Sequence, residues 1–540
     1  MFQVVVLEIG AKSSIIYENC IQLPLRLALE LPMTNDKRSP VPGPSDNLTT
    51  GVKRSVGVPT VMNYIGGEWV DSTGSAFVPV MNPSQGQQIA RTPLSLRQDV
   101  DAAVQAAEAA RETWSTTPIK ERAQVFYRYK MLLERYVSEL SALVQEENGK
   151  TLSEAVAEIE KAIEVTEFAC SMPQLIPGEI LEVSRGVECR IDRYPVGVVA
   201  CITQFNFPNM VPHWTIPNAL VLGNTMVFKP SQVVPLSSLR IAELLKEAGL
   251  PSGVFNIVHG AQEAVEAICD HPGIQAVTFV GSTKVAKIVY ARATSRLKRA
   301  LCLGSAKNHI ILLPDAHVEM AASNIAVSMT GCAGQRCMAA ATLLAVGSTD
   351  HIIEGLCEEA RKIIPGKNLG AVISREAKER IEGYITEAER EGARVLVDGR
   401  GVTVEGCERG FFVGPTVIDH VRPDMRIARE EVFGPVLTII RVKTIEEAIA
   451  TENKSPYGNA ASIFTQDGGL ARYAMERANA GMFGVNVGVP VPREPFSFGG
   501  WNESKFGVGD ITGKSSIEFF TRPKKTTIKW DPEAKRNWMS

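Results

Sequence analysis

The spacing of apolar positions changes along the chain, and the change predicts where helices give way to strands. Apolar residues recur at helical spacing over 99–114 and again over 119–147, so we expect one long helix in each segment. Before them, residues 63–70 predict a hairpin that turns at Gly66 and Gly67. Thr151 and Glu154 have the spacing of a capping box that opens a further helix.

From residue 196 onward, short apolar runs of strand length alternate with helical segments. Such runs occur at 196–203, 224–229, 255–258 and 276–280. Their continuous apolar character predicts a parallel sheet covered by helices on both faces, which binds ligands at the carboxyl ends of its strands. A second α/β segment runs from about residue 308 to 509, and alternation over 515–530 predicts a terminal strand.

Composition and charge narrow the class of protein only slightly. The chain is 45% hydrophobic and 22% charged, with a net charge of −3, so neither nucleic acid nor a membrane surface is an expected partner. No apolar run approaches the length of a membrane-spanning helix. Ten dispersed cysteines without a C-x-x-C pair, and seven histidines without ligand spacing, predict no metal site and a reducing, cytoplasmic compartment.

Residues 1–61 precede the first predicted hairpin, and their composition fits no targeting signal. Residues 1–32 are mildly apolar but contain Glu8, Glu18 and Glu30, whereas transit peptides are poor in acidic residues and signal peptides begin basic. A polar, proline-rich stretch follows them. We expect residues 1–61 to be a disordered extension or to reflect a start codon placed too early.

Cys337 is the candidate nucleophile. It lies between a predicted helix at 318–330 and a predicted strand at 339–346, a junction that can place a side chain in a cleft. The neighbouring cation of Arg336 is expected to favour the thiolate, which is the nucleophilic form. A small buried core cysteine is the alternative interpretation, and for Cys332 we expect only helix packing.

Five short motifs occur in the order seen in the aldehyde dehydrogenase superfamily, which the chain resembles from about residue 62 to about residue 530. They are Phe205-Asn206-Phe207-Pro208, Lys229-Pro230-Ser231, Phe279-Val280-Gly281-Ser282-Thr283, Gly334-Gln335-Arg336-Cys337-Met338 and Glu430-Glu431-Val432-Phe433-Gly434-Pro435. Segments 306–309, 334–339 and 496–501 resemble the methylmalonate-semialdehyde dehydrogenase branch more closely.

The resemblance implies an α/β fold in three parts. A Rossmann-type NAD-binding domain would comprise residues 62–177 and 196–306, and an α/β catalytic domain residues 307–509. A small oligomerisation sheet from residues 178–195 and 510–530 would join copies into a homodimer or homotetramer.

The resemblance also implies a reaction. The Cys337 sulfur would attack an aldehyde, with the Asn206 amide and the Cys337 N–H stabilising the oxyanion. Hydride transfer to NAD would leave a thioester that coenzyme A discharges, with loss of CO2, giving propionyl-CoA from methylmalonate semialdehyde or acetyl-CoA from malonate semialdehyde. Hydrolytic members have a glutamate base where this chain has Leu303.

Three other functions stay open at this point. They are a hydrolytic NAD(P)-dependent aldehyde dehydrogenase with another base, a non-catalytic protein on the same fold, and a cofactor-free thioester acyltransferase.

Binding residues are implied position by position. Arg336 and Lys161 would bind the substrate carboxylate, although a lysine lacks the planar fork of arginine and Lys161 could instead pair with Glu158 or Glu164 on its own helix. Gln232 and Val233 replace the branch's Glu-Arg, so NADP is less disfavoured than in that branch, while NAD is expected. The implied cofactor contacts are Thr203, Phe205, Lys229, Gln232, Val233, Ser282, Gly304, Glu431 and Phe433.

Overall fold

The computed structural model describes residues 50–54, 57–176 and 178–530. The first part of the described chain contains short strands followed by helices. These elements are β1 (Val52–Lys53), β2 (Thr60–Val61), β3 (Asn63–Ile65), β4 (Glu68–Val70), β5 (Phe77–Asn82), β6 (Gln87–Pro93), α1 (Arg97–Thr116), α2 (Ile119–Arg135), α3 (Val137–Asn148), α4 (Leu152–Cys170) and α5 (Met172–Leu175).

Two predictions for this part are wrong in detail. The helix expected over 119–147 is two helices, because Tyr136 leaves the helical conformation between α2 and α3 while the apolar stripe continues across the break. Regular secondary structure also begins before residue 62, because strand β2 pairs with both β1 and β6 and Val61 is buried. The rest of the predicted extension lies outside the described residues.

Three local predictions for the same part are confirmed. Strands β3 and β4 form the expected hairpin, and α1 covers the first predicted helix. The capping box of α4 is present, with the Thr151 hydroxyl accepting the Glu154 N–H and the Glu154 carboxylate accepting the Thr151 N–H.

The middle of the chain builds a sheet with helices on both faces. Its elements are β7 (Glu179–Ser184), β8 (Val187–Pro195), β9 (Val198–Ile202), α6 (Met210–Val221), β10 (Thr225–Lys229), α7 (Leu236–Glu247), β11 (Phe255–Ile257), α8 (Gln262–Asp270), β12 (Ile274–Val280), α9 (Thr283–Ser295) and β13 (Arg299–Leu303). Strands β13, β12, β9, β10 and β11 pair in parallel in that order, which confirms the predicted parallel sheet, and β3 and β4 extend one edge.

The remaining chain builds a second sheet and returns to the first. Its elements are β14 (Asn308–Leu312), α10 (Val318–Thr330), β15 (Ala340–Val346), α11 (Asp350–Arg361), α12 (Arg375–Arg390), β16 (Arg394–Val397), β17 (Thr416–Asp419), α13 (Arg426–Arg429), β18 (Val436–Val442), α14 (Ile445–Glu452), β19 (Tyr457–Gly458), β20 (Ala460–Phe464), α15 (Gly468–Arg477), β21 (Met482–Val485), β22 (Trp501–Asn502), β23 (Lys505–Phe506), α16 (Ser515–Phe520) and β24 (Thr521–Lys529). The second sheet has the order β16-β17-β18-β15-β14-β20-β21.

The C-terminal segment differs from its prediction. Residues 515–520 form the helix α16, which buries Ile517 and Phe520, and only 521–529 form a strand. Alternation over so few residues does not distinguish a short helix from a strand. Strand β24 pairs with β8, and β7 forms the outer edge of this small sheet.

The predicted domain limits stay a prediction, and one segment crosses them. Strand β23 comes from the part of the chain expected in the catalytic domain, yet it pairs with β13 of the first sheet. Within the described residues every helix is too short or too polar to cross a membrane.

Candidate active site

The candidate nucleophile lies where two cavities meet. Cys337 follows the 3₁₀ turn Gly331–Gly334 and precedes β15, and its half-buried side chain lines both cavities. The larger cavity has a volume of about 450 Å3. Its apolar walls include the following side chains: Phe207, Met210, Trp214, Val489 and Phe498. A short carbon chain could therefore reach the Cys337 sulfur through an apolar passage.

The turn before Cys337 is tightly constrained. Gly334 has a φ of +69°, and a Cβ there would lie 2.0 Å from the Gly434 carbonyl oxygen, so only glycine fits. Cys332 has a φ of +54°, and its N–H donates to the Glu154 carboxylate. Cys332 therefore lies after the helix and lines the larger cavity, which corrects the expectation of helix packing.

The cysteine backbone is fixed from its carbonyl side. The Cys337 carbonyl accepts from the side-chain amides of Asn308 at 2.7 Å and Asn459 at 2.9 Å. Asn308 belongs to a motif noted in the sequence, whereas Asn459 was missed because nothing nearby in the sequence distinguishes it. Two amides on one carbonyl hold the peptide that carries the sulfur, which is the kind of preorganisation an attacking atom requires.

Arg336 does not make Cys337 a thiolate in this structure. Burial raises the pKa of the Cys337 thiol to about 12, and the Glu431 carboxylate raises it further, while Arg336 lowers it by less. The Arg336 guanidinium instead donates to the carbonyls of Val327 and Ser328 at the end of α10, at 3.2 Å each. Arg336 therefore acts on the thiol pKa in the expected direction, but its effect is smaller than that of burial, which keeps the pKa above its ordinary value.

Asn206 lies beside the peptide that leads to Cys337. Its amide donates to the Gln335 carbonyl at 2.9 Å, and its buried side-chain oxygen has no hydrogen-bond partner among the described residues. The backbone of its loop is held by Asn148, which donates to the Phe205 carbonyl, and by Lys150, which donates to the Asn206 carbonyl, each at 2.8 Å. The amide thus faces the cysteine turn, and its role as an oxyanion donor stays a prediction.

A buried ion pair that the sequence did not reveal supports this loop. Lys150 and Glu158 lie 2.6 Å apart and are almost completely buried. The other Glu158 oxygen accepts the N–H groups of Asn209 at 2.7 Å and Met210 at 3.0 Å. Burial lowers the pKa of Lys150, but Glu158, together with Cys332 and Glu154, outweighs this effect and the pKa lies above its ordinary value.

Lys161 lines the larger cavity but already has partners. Its ammonium lies 2.7 Å from Glu494 and 3.2 Å from Glu164. Of the two alternative pairings expected, the one with Glu164 is present, and Glu158 pairs with Lys150 instead. Arg493 and Glu494, both on the cavity wall, were missed, although two charges between prolines at 492 and 495 were a visible signal.

The predicted cofactor residues gather at the carboxyl ends of β9, β10, β12 and β13. Thr203 and Phe205 follow β9, and the Phe205 ring lies edge-on to Phe433 with centroids 5.8 Å apart. Lys229 ends β10 and donates to the carbonyls of Pro230 and Gly260, and burial lowers its pKa to about 7. Gln232 and Val233 follow it and are half-buried.

The other cofactor positions fit a dinucleotide. Ser282 begins α9 without making a side-chain cap, so its hydroxyl and the helix N-terminus can receive an anion. A Cβ at Gly304 would lie 2.5 Å from the Thr283 hydroxyl, so this position must stay glycine. Glu431 accepts the Ala306 N–H at 2.9 Å on the side of Cys337 opposite the larger cavity.

Leu303 ends β13 as a buried apolar residue. Its side chain is 4% exposed and belongs to the apolar cluster against which Cys337 packs. The position from which a base would act on a thioester therefore holds a hydrocarbon side chain.

A parallel sheet with a dinucleotide site at its strand ends, facing a cysteine on a glycine turn, defines an NAD-type oxidoreductase acting through a thiol. The chain belongs to the aldehyde dehydrogenase family, whose profile matches residues 69–526. The predicted family and fold class are confirmed.

The curated relatives narrow the comparison further. Malonate-semialdehyde dehydrogenase 1 of Geobacillus thermodenitrificans is 45% identical over 485 residues, covering 88% of this chain and 100% of its own. Malonate-semialdehyde dehydrogenase 2 of Bacillus anthracis is 45% identical over 480 residues, which cover 87% of this chain and 98% of that protein.

Solved structures agree with these relatives. Methylmalonate-semialdehyde dehydrogenase of Oceanimonas doudoroffii superposes with a TM-score of 0.86 at 41% identity, covering 88% of this chain and 99% of its own. A methylmalonate-semialdehyde dehydrogenase from Sinorhizobium meliloti, solved as a complex with NAD, superposes with a TM-score of 0.87 at 39% identity. The superposition covers 89% of this chain and 100% of that protein.

Proposed function

We propose that the chain oxidises malonate or methylmalonate semialdehyde with NAD and transfers the acyl group to coenzyme A, with loss of CO2. The proposal is carried by the combination of two residues. Cys337 lies on a cavity whose wall contains arginine, and Leu303 places a hydrocarbon side chain where hydrolytic members have a glutamate base. A thiol can form a thioester there, whereas a leucine cannot activate water to hydrolyse it.

The residues of this chain would act in sequence. The Cys337 thiol loses its proton to water and its sulfur attacks the aldehyde carbon, while the Asn206 amide and the Cys337 N–H stabilise the oxygen that becomes negative. The residues at the strand ends would hold NAD, which would supply the acceptor for the hydride that this carbon releases as an acyl thioester forms on Cys337. The coenzyme A thiol then takes the acyl group and passes its proton to the Cys337 sulfur. The substrate carboxylate leaves as CO2, and the carbon that carried it takes up a proton from water.

Most carboxylates on the cavity wall already have structural partners. Glu154 accepts N–H groups of Cys332 and Thr151, and both oxygens of Glu158 are engaged by Lys150 and two N–H groups. Glu494 pairs with Lys161. A carboxylate whose oxygens accept fixed donors is a poor base, which favours a thiol acceptor over water.

Hydrolysis is the second candidate, and one observation favours it. Burial raises the pKa of Glu431, and Glu431 lies close enough to Cys337 to raise the pKa of the thiol. A carboxylate with a raised pKa is a better general base near neutral pH. Its binding to the Ala306 N–H, and its implied contact with the ribose, argue for cofactor binding instead.

Steady-state turnover with and without coenzyme A tests the proposal. The formation of NADH by wild type and by Cys337→Ala is measured. The substrates are malonate semialdehyde, methylmalonate semialdehyde and, as an uncarboxylated comparison, propanal. We expect sustained turnover only with coenzyme A, preference for the semialdehydes, and no turnover in the variant. Multiple turnovers without coenzyme A would instead assign hydrolysis, and activity in Cys337→Ala would refute the whole mechanism.

We also propose a homo-oligomer joined through the small sheet. Its outer strand β7 exposes Ile180, Leu181 and Val183, whose exposed fractions are 64%, 67% and 52%. An edge strand with unpaired backbone groups and apolar side chains is suited to pairing with a second copy. Mass determination in solution, with Leu181→Lys as the disrupting variant, tests this. A cytoplasmic location stays a prediction.

A further inference from the structure

Three cationic side chains line the large cavity beside Cys337. They differ in how many of their N–H donors already have a hydrogen-bond or ion-pair partner. Lys161 contacts two carboxylates, and the nearer one, of Glu494, is 7% exposed. One arm of Arg336 is held by the carbonyls at the end of α10. The Arg493 carbonyl accepts the Phe496 N–H, but its guanidinium makes no hydrogen bond or ion pair with any described residue.

The acidic side chains of the same wall do not compensate Arg493. Glu158 is matched by buried Lys150, and Glu494 by Lys161. Glu154 is held by backbone and hydroxyl donors around the cysteine turn. With these contacts in place, all the side-chain donors of Arg493 are free of partners among the described residues, whereas Arg336 has one terminal nitrogen engaged and a buried Nε without a partner.

We infer that Arg493, rather than Lys161, is the specificity-determining residue that binds the substrate carboxylate, an inference that rests on the proposed function. A guanidinium presents two parallel N–H groups to the two oxygens of a carboxylate, which an ammonium cannot do. A substrate bound to Lys161 would compete with a carboxylate already 2.7 Å away. Lys161 is therefore already engaged in holding Glu494 to helix α4.

The placement of Arg493 suits a short substrate. It lies in the loop of residues 486–500, between β21 and β22, which also brings Val489 and Phe498 to the cavity. The aldehyde would point towards Cys337 and the carboxylate towards the loop, with the apolar side chains between them. Because Arg493 is exposed, water solvates its guanidinium when a substrate without a carboxylate binds, and only a carboxylated substrate gains the charge-assisted contact.

Substrate discrimination in Arg493→Gln tests the inference. The ratio of kcat/KM for malonate semialdehyde to kcat/KM for propanal is measured in wild type, Arg493→Gln and Arg472→Gln, an exposed arginine on α15 as matched control. We expect the ratio to fall about tenfold to a hundredfold in Arg493→Gln, the value of a charge-assisted contact, and to stay unchanged in the control. An unchanged ratio in Arg493→Gln would overturn the inference.

A double variant separates the two cations. Lys161→Gln/Glu494→Gln removes the ion pair without changing the net charge, so we expect the ratio to remain within about threefold of wild type. A loss of discrimination in the double variant equal to that expected for Arg493→Gln would return the role to Lys161. Binding of malonate, measured by calorimetry, provides a readout without turnover and should weaken in Arg493→Gln alone.

The proposed function and this inference fail in different ways. If wild type oxidises malonate semialdehyde no better than propanal, the semialdehyde assignment is wrong. If wild type discriminates and Arg493→Gln discriminates equally well, only the inference is wrong.

Discussion

Removing the negative charge of Glu158 should destabilise the protein and displace the loop that carries Asn206. The charges of Glu158 and Lys150, 2.6 Å apart, attract by about 6 kcal/mol at an effective dielectric constant of about 20, before the cost of burial is counted. Loss of one partner of a buried pair costs about 3–5 kcal/mol. Because glutamine keeps an oxygen for the Asn209 and Met210 N–H groups, we expect Glu158→Gln to lose about 3 kcal/mol.

Urea unfolding of a double-mutant cycle measures this coupling. Lys150→Met/Glu158→Gln leaves no unpaired buried charge and should recover at least half of the lost unfolding free energy. Glu167→Gln, at an exposed pair with Lys130, is the matched control and should hardly shift the unfolding midpoint. If Glu158→Gln unfolds within 1 kcal/mol of wild type, the buried pair does not support the loop as argued.

Three further outcomes follow from the site. The rate of alkylation of Cys337 by iodoacetamide should rise about tenfold per pH unit from pH 7 to 10, because burial raises the thiol pKa to about 12. The rate measured with Cys337→Ser is subtracted to remove the reaction of other cysteines. A plateau of the corrected rate below pH 9 would contradict this expectation. Gly334→Ala should lower kcat about a hundredfold, because the new Cβ would collide with Gly434 next to the cysteine turn. The affinity for NAD, measured by fluorescence titration, should stay unchanged. Gln232→Glu should reduce kcat/KM with NADP relative to NAD by at least about tenfold, since a carboxylate repels the 2′-phosphate; an unchanged ratio would place Gln232 away from the ribose.

Elements with a strong local pattern could be predicted from the sequence. The parallel pairing of β9, β10 and β12 was expected from continuous apolar runs separated by helices, because strands buried on both faces have such runs, whereas their order was not. The position of Cys337 beside a cavity followed from its place between α10 and β15. Helix α16 and the break at Tyr136 could not be predicted, since both keep the apolar spacing of their neighbours.

The charges of the site were harder to predict than its shape. Lys161 and Glu494 are 333 residues apart in the chain, so no local pattern shows that one neutralises the other. Arg336 was expected to favour the thiolate of its neighbour, and it does lower the thiol pKa, but its guanidinium turns to the end of α10 and burial has the larger effect. The pKa of a thiol depends on burial, which composition does not reveal.

The high pKa of Cys337 has a consequence for the acyl-transfer step. A thiolate that is strongly basic departs slowly from a thioester, so burial alone would retard transfer to coenzyme A. Once expelled, however, the sulfur is readily protonated near neutral pH, because burial holds the pKa of the thiol well above its ordinary value. The reverse attack on the acyl-CoA product is then suppressed. The buried side chain of Leu303 offers no proton acceptor that would restore the thiolate, so the apolar surroundings that disfavour hydrolysis also favour release of the product.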